Sequence, residues 1–305
     1  MKVKINLGCG PVYLTDSEWV NLDYAELGPG VQKADLLGHL PFDDGVADLV
    51  YSSHFLEHVP LEKVPELLSE CIRVLRPGGI LRLVLPDLEE LCREYLHCRA
   101  LGEHEKADFV VVEMIDQCVR SVPGGELGAI YRTLQRGDHL ETKSMIAYVR
   151  ERNGEILQPP SSGKQRLGLG TQEEGLHESS AVGLETLPER ARRQLARLAR
   201  LPAHLPKRLR GWVEETRIRL GVRCLPPAFR AQNLSLASVG ERHHWVWDFH
   251  QLETALKRAG FIRIERRTAS TSAMPDFSFH PLDLDHQGRP RKGFESMYIE
   301  ACKPG

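Results

Sequence analysis

Along the first ninety residues, short apolar runs alternate with turn-forming polar stretches, a rhythm that predicts strands and helices in succession. Residues 2–7 (K-V-K-I-N-L) alternate polar and apolar and run into Gly8-Cys9-Gly10, which predicts a strand feeding a tight glycine turn. Trp19–Asp23 reads as a second short strand ending on an acid, and Val31–Asp35 as a weaker third of the same kind. Pro41–Asp48 is turn chemistry leading into Leu49-Val50-Tyr51. Leu61–Leu75 then carries apolar residues at 61, 64, 67, 68, 71, 72 and 75, the stripe of an amphipathic helix. Arg76-Pro77-Gly78-Gly79 stops that helix, and the continuous apolar run Ile80–Leu85 suits a strand buried on both faces. Strand, helix, strand is a parallel crossover unit.

Further along, residues 88–120 and 141–150 have a helical pattern, and 154–186 are rich in Gly, Ser, Pro, Gln and Glu, the composition of a flexible loop. Residues 188–221 are helix-prone and rich in Arg, Leu and Ala, interrupted by Pro202 and Pro206. Order returns with a helix near Phe249–Ala259 closing on Gly260, a strand over Phe261–Arg267 and a terminal strand over Ser296–Cys302. The expected organisation is therefore a core in two parts, residues 1–153 with a helical lid and 240–305, separated by a low-order and basic insertion over 154–239.

Composition narrows this picture. The chain has 305 residues, 41% hydrophobic and 27% charged, enough for a buried core and too apolar for a disordered chain. No apolar stretch approaches the ~20 residues of a membrane helix, and Met1–Ile5 runs into a strand instead of a signal-peptide apolar region. Cytoplasmic localisation is the resulting expectation. Seven cysteines without a C-x-x-C pair indicate neither a disulfide framework nor a zinc ribbon. Net charge is −2, but residues 1–60 hold three Lys/Arg against nine Asp/Glu, while 187–223 hold eleven against three. That basic stretch suits a solvated or partner-facing helix, or an anionic membrane surface, since Leu195, Leu198, Leu201 and Trp212 lie among the arginines. Nucleic acid is disfavoured, because interleaved stacking aromatics are lacking.

A strand followed by G-x-G, with an acid ending the next strand, holds a nucleoside-containing cofactor across the carboxyl ends of a parallel sheet. Here the motif is Gly8-Cys9-Gly10-Pro11, and Asp23 follows too soon for the first helix of a dinucleotide fold, so a ligand without a pyrophosphate is favoured over NAD. The ordered set Asn6–Gly10, Asn21–Asp23, Ala34–Leu36, Leu40–Asp44, Ser53–His58 and Arg73–Gly79 closely resembles the class I S-adenosylmethionine-dependent methyltransferases, specifically the bacterial group with an L-G-C-G start and an L-E-H segment. A looser resemblance over 240–303, carried by Gly240–Asp248, Ala259–Phe261, Leu282–Asp285 and Glu295–Glu300, is to methyltransferases associated with bacterial surface-polysaccharide and glycosylation loci.

The resemblance implies a Rossmann-like, doubly wound, mostly parallel sheet of seven strands with helices on both faces. It implies a site in which Leu7, Gly8, Cys9 and Gly10 line the methionine and ribose part of S-adenosylmethionine. Asp23 would bind the ribose hydroxyls, Asp35 and Leu36 would meet adenine, and Ser53 and His54 would line the place where methyl donor meets acceptor. Methyl transfer needs alignment and water exclusion, plus a base where the acceptor is a hydroxyl. His243, His54 and Asp87 are the candidates, His243 ahead of His54, with Glu57 and His58 expected to cap or brace the following helix. The Trp245 and Trp247 rings pack under the lid or form a sugar-binding surface. Asp283, Asp285 and His286 read as a solvated turn before a metal site, so no metal is expected. The acceptor implied is a small molecule or saccharide, methylated at oxygen. The alternative is a cofactor-binding pseudoenzyme or scaffold docked on a glycosylation or membrane complex.

Overall fold

The computed structural model describes residues 2–25, 28–137, 139–158 and 241–305. They belong to one compact unit formed by Met1–Ser162 and Ala237–Gly305. The expected low-order loop and basic insertion lie almost wholly outside the described residues.

Seven strands form one sheet: β1 (Lys4–Leu7), β2 (Trp19–Asp23), β3 (Val31–Lys33), β4 (Ala47–Ser53), β5 (Leu75–Pro86), β6 (Ile262–Arg267) and β7 (Ser296–Cys302). Their order is β3-β2-β1-β4-β5-β7-β6, with β1 to β5 mutually parallel and β7 antiparallel to both β5 and β6. The order reverses between β1 and β4, which makes their carboxyl ends a topological switch point, where open α/β sheets bind ligands. The chain leaves β1 directly into a turn, and no helix separates β1 from β2 among the described residues. β5 is longer than the apolar run predicts: it begins at Leu75, pairs there with Ala47, and resumes regular pairing at Leu49–Ile80 after a register shift.

One face of the sheet is apolar. Ile5, Leu7, Val50, Leu81, Leu83, Leu85, Met297 and Ile299 pack against α1 (Val64–Val74), whose Val64, Leu67, Leu68, Cys71 and Val74 are buried. Farther along the chain come α2 (Leu88–Leu101), α3 (His104–Val119), α4 (Gly125–Arg136) and α5 (Leu140–Asn153). The last three share a small core of Phe109, Leu127, Met145 and Val149. The helix expected near residue 249 is α6 (Phe249–Ala259), ended by Gly260 in the left-handed conformation. Its Leu252 and Leu256 join α1 over the apolar face.

The expectation of helices on both faces is corrected by the second face. Among the described residues it is covered by the irregular segment Thr268–Leu284, in which Phe279–Leu282 forms a kinked single turn with extended backbone at His280. The strands present Lys4, Asn6, Tyr51, Arg82, Tyr298 and Glu300 to this side, and an apolar helix stripe cannot satisfy such groups. Irregular backbone can: the Thr268 and Thr271 carbonyls accept from Arg82 at 2.9 and 3.0 Å, and Asp283 pairs with it at 2.8 Å.

Candidate functional site

The carboxyl end of β1 turns sharply because Gly8 and Gly10 both take positive φ, +63° and +56°. The Gly8 and Cys9 amides donate to the Leu22 carbonyl, tying the turn to β2, and the Gly10 amide donates to Asp23 Oδ2 at 2.9 Å. Asp23 Oδ1 accepts from the Ala25 amide, so the carboxylate is fixed at the end of β2 with lone pairs to spare. A Cβ on Gly8 would fall 2.7 Å from Phe55 Cγ, whereas one on Gly10 would meet nothing within 4 Å. The turn is thus closed on the Phe55 side and open above Gly10. Leu7 is buried in the core, and burial pushes the Cys9 thiol up to about 12, which keeps it protonated and unreactive.

Past β3, Asp35 is exposed and caps its own turn by accepting from the Leu37 amide, while Leu36 is buried in the core. Ser53 and His54 end β4. Ser53 Oγ is buried without a hydrogen-bond partner, and His54 holds φ +53°, a conformation sparsely populated by residues other than glycine. His54 Nε2 lies 2.9 Å from Ser296 Oγ at the start of β7, and Nδ1 lies 3.4 Å from Glu57 Oε1. Burial, followed by the charges of Lys292 and the neighbouring histidines, holds His54 well below the ordinary histidine range. It is a neutral imidazole.

Glu57 and His58 do not cap a helix. They form a short 3-10 turn without a side-chain capping bond, and the Glu57 carboxylate points inward, 1% exposed, with neither oxygen accepting a hydrogen bond. Burial raises its pKa to about 7. His58 Nδ1 is 3.0 Å from the Arg242 carbonyl, and its ring meets His243 edge-on at a centroid distance of 4.7 Å. His243 is buried, and burial drives it down to about 3. Lys292 is half-buried nearby, its pKa lowered by desolvation. The segment at 243–245 is held by backbone on two sides: the His244 amide donates to the Glu57 carbonyl of the turn at 2.7 Å, and the His243 amide to Gln117 O of α3 at 2.9 Å.

The three candidate bases therefore separate. His54 and His243 meet in one buried cluster around Glu57. Asp87 is engaged elsewhere: it caps α2 by accepting from the Glu89 amide and pairs with Arg266 at 2.7 Å. The two tryptophans separate as well, Trp247 entering the core while Trp245 stays part-exposed with Nε1 donating to Gln251. Asp283 is buried against Arg82 and Tyr51, and Asp285 is held to about 2 by hydrogen bonds from its own turn. Sequence reasoning passed over Glu57, Lys292 and Ser296 as site residues. The L-E-H spacing was visible, but nothing local places Glu57 indoors beside a residue almost two hundred positions away.

The fold and this turn define an α/β protein with a glycine turn and a fixed carboxylate at a sheet switch point. A family profile described as a methyltransferase domain matches residues 6–83. That segment holds the glycine turn, Asp23, Asp35 and His54, while α2 to α6 and His243 lie beyond it. No curated protein matches the chain. Among solved structures, an S-adenosylmethionine-dependent methyltransferase from Mesorhizobium loti aligns at 28% identity over 28% of this chain and 46% of that one, with a TM-score of 0.24. One from Archaeoglobus fulgidus aligns at 25% identity over 31% and 51%, with a TM-score of 0.26. Phosphoethanolamine N-methyltransferase 1 from Haemonchus contortus aligns at 21% identity over 28% and 22%, with a TM-score of 0.24. The chain spans about half the length of the first two. At these TM-scores the fold rests on the strand order of this protein, not on the likeness. Among the described residues no helix is long and apolar enough to cross a membrane.

Proposed function

We propose that the protein is an S-adenosylmethionine-dependent methyltransferase acting on a hydroxyl of a small-molecule or saccharide acceptor. The observation that carries the reading is the glycine turn locked to Asp23 at the β1/β4 switch point, inside the segment that matches a methyltransferase domain. The residues fit the cofactor. The open space above Gly10 lets a ligand approach the backbone, Asp23 retains lone pairs for ribose hydroxyls, and Asp35 is exposed where an adenine amino group would need an acceptor. Leu36, buried beneath that turn, anchors it. When bound, the cofactor supplies a methyl group on a sulfonium, already a strong electrophile. The chain's task is then to align the acceptor oxygen and exclude water, with Phe55 closing one side of the turn. His54, just past the end of β4 with its ring nitrogens turned to Ser296 and Glu57, would line the wall where methyl donor meets acceptor. The partners of Asp87 leave it out of this role. The helices α2 to α5 would serve as the lid.

Calorimetric titration with S-adenosylhomocysteine tests the reading. The intact chain should bind, and Asp23→Ala should weaken binding about 10- to 100-fold, the loss expected for charge-assisted hydrogen bonds. Folded protein that does not bind removes the proposal. A labelled-methyl transfer screen over sugar nucleotides and lipid-linked glycans then separates enzyme from scaffold, since binding without turnover on any acceptor supports the scaffold.

A further inference from the structure

The cluster below β4 carries chemistry that methyl transfer alone does not use. Glu57, His58 and His243 each present one donor atom, all within 4.8 Å of one another. Both Glu57 oxygens are buried and accept no hydrogen bond. A buried carboxylate without donors is costly, and native structures leave few such groups unsatisfied. The His58 Nδ1 contact with the Arg242 carbonyl requires the proton on Nδ1, which leaves the Nε2 lone pair available. Imidazoles that bind metals characteristically donate their other N–H to a backbone carbonyl in this way.

We propose that Glu57, His58 and His243 form a binding site for a divalent transition-metal ion, with zinc the ion their donors suit. Two imidazoles and a carboxylate are a recognised zinc ligand set that leaves one position open for water or a substrate oxygen. His54 Nδ1, 3.4 Å from Glu57 Oε1, is placed to orient the carboxylate, and Ser296 fixes the other side of that ring. The backbone bond from the His244 amide to the Glu57 carbonyl already holds the two contributing segments together. Donors around tetrahedral zinc lie about 3.4 Å apart, so binding asks for side-chain shifts on the order of 1 Å. Lys292 is the competing cation, since it also acts on Glu57.

The inference goes beyond the methyltransferase reading, and its test reads metal alone. Chelator-treated full-length protein is titrated with zinc against a chromophoric indicator and with cobalt(II), whose visible absorption reports coordination. One equivalent of either ion should bind. Glu57→Gln and His243→Asn should weaken zinc at least tenfold and abolish the cobalt bands, while the exposed His250→Asn leaves both unchanged. His58→Gln, at a half-buried position, provides a further ligand variant, with circular dichroism checking that each variant is folded. Absence of stoichiometric binding would overturn the proposal and assign Glu57 to Lys292. Equal binding by the ligand variants, or a cobalt–thiolate absorption band, would overturn it as well. S-adenosylhomocysteine titrated in parallel keeps failure here distinct from failure of the cofactor reading.

Discussion

Gly8 shows how much one residue can be asked to do. Its left-handed conformation costs a side-chain-bearing residue about 1–2 kcal/mol, and a Cβ would also collide with Phe55, which follows directly on His54. Gly8→Ala should therefore lower stability in urea by more than that conformational cost and weaken S-adenosylhomocysteine at least tenfold. Gly10→Ala, with open space around the new methyl group, should lose about the conformational term alone in stability. Equal urea midpoints for the two variants would show that Phe55 does not close the turn. The importance of Gly8 was legible in its spacing from the strand. That of Glu57 was not, because an L-E-H segment reads as helix capping until the chain from residue 241 onward folds over it.

α1 is fastened to the loop before β4 by Glu70 and Arg73. The Arg73 guanidinium donates to the Leu40 and Phe42 carbonyls, to Asp44 and to Glu70, and Glu70 also accepts from the Leu40 amide. The P-F-D-D and R-V-L-R-P-G-G motifs are thus two halves of one clasp. Arg73 and that amide hold the Glu70 carboxyl at about 2, below its ordinary 4.5. A depressed acid contributes stability that is complete above the unfolded-state value and disappears as pH falls through the folded one. Glu70→Gln should therefore be less stable than the native chain at pH 6, and the difference should shrink between pH 4.5 and 2. Urea unfolding across that range measures it, and a pH-independent difference would refute the linkage. Periodicity predicted α1, α6 and most strands to within a few residues, because their apolar faces are written locally. It missed α4, which begins at Gly125 after Pro123-Gly124 and has its Glu126 amide capped by Asp116, a residue of α3. It also ran α2 and α3 together across Gly102.

Across the whole molecule, the fully buried Arg82 joins the polar face of the sheet to the segment that covers it. It bonds Asp283, Glu300, Thr268 O and Thr271 O, and Phe277 and Tyr298 flank its guanidinium. Breaking such a buried set strands its carboxylates, at a cost of about 3–5 kcal/mol. Arg82→Met should shift the urea midpoint accordingly and speed hydrogen exchange over 268–284. Arg93→Met, which removes exposed pairs with Glu89 and Glu90, should leave the urea midpoint close to that of the native chain. Unchanged exchange in Arg82→Met would mean that the segment is held by its aromatic residues alone. By itself the sequence determined the strand succession, the helices α1 and α6, the glycine turn and the positions of the two aspartates, since each depends on residues a few positions apart. Only the tertiary structure decided that an irregular segment covers the second face, that Asp87 is taken up by Arg266, and that Glu57 is buried beside His243. Those outcomes depend on desolvation and pairing between groups far apart in the chain, and local pattern carries no record of which charges become neighbours.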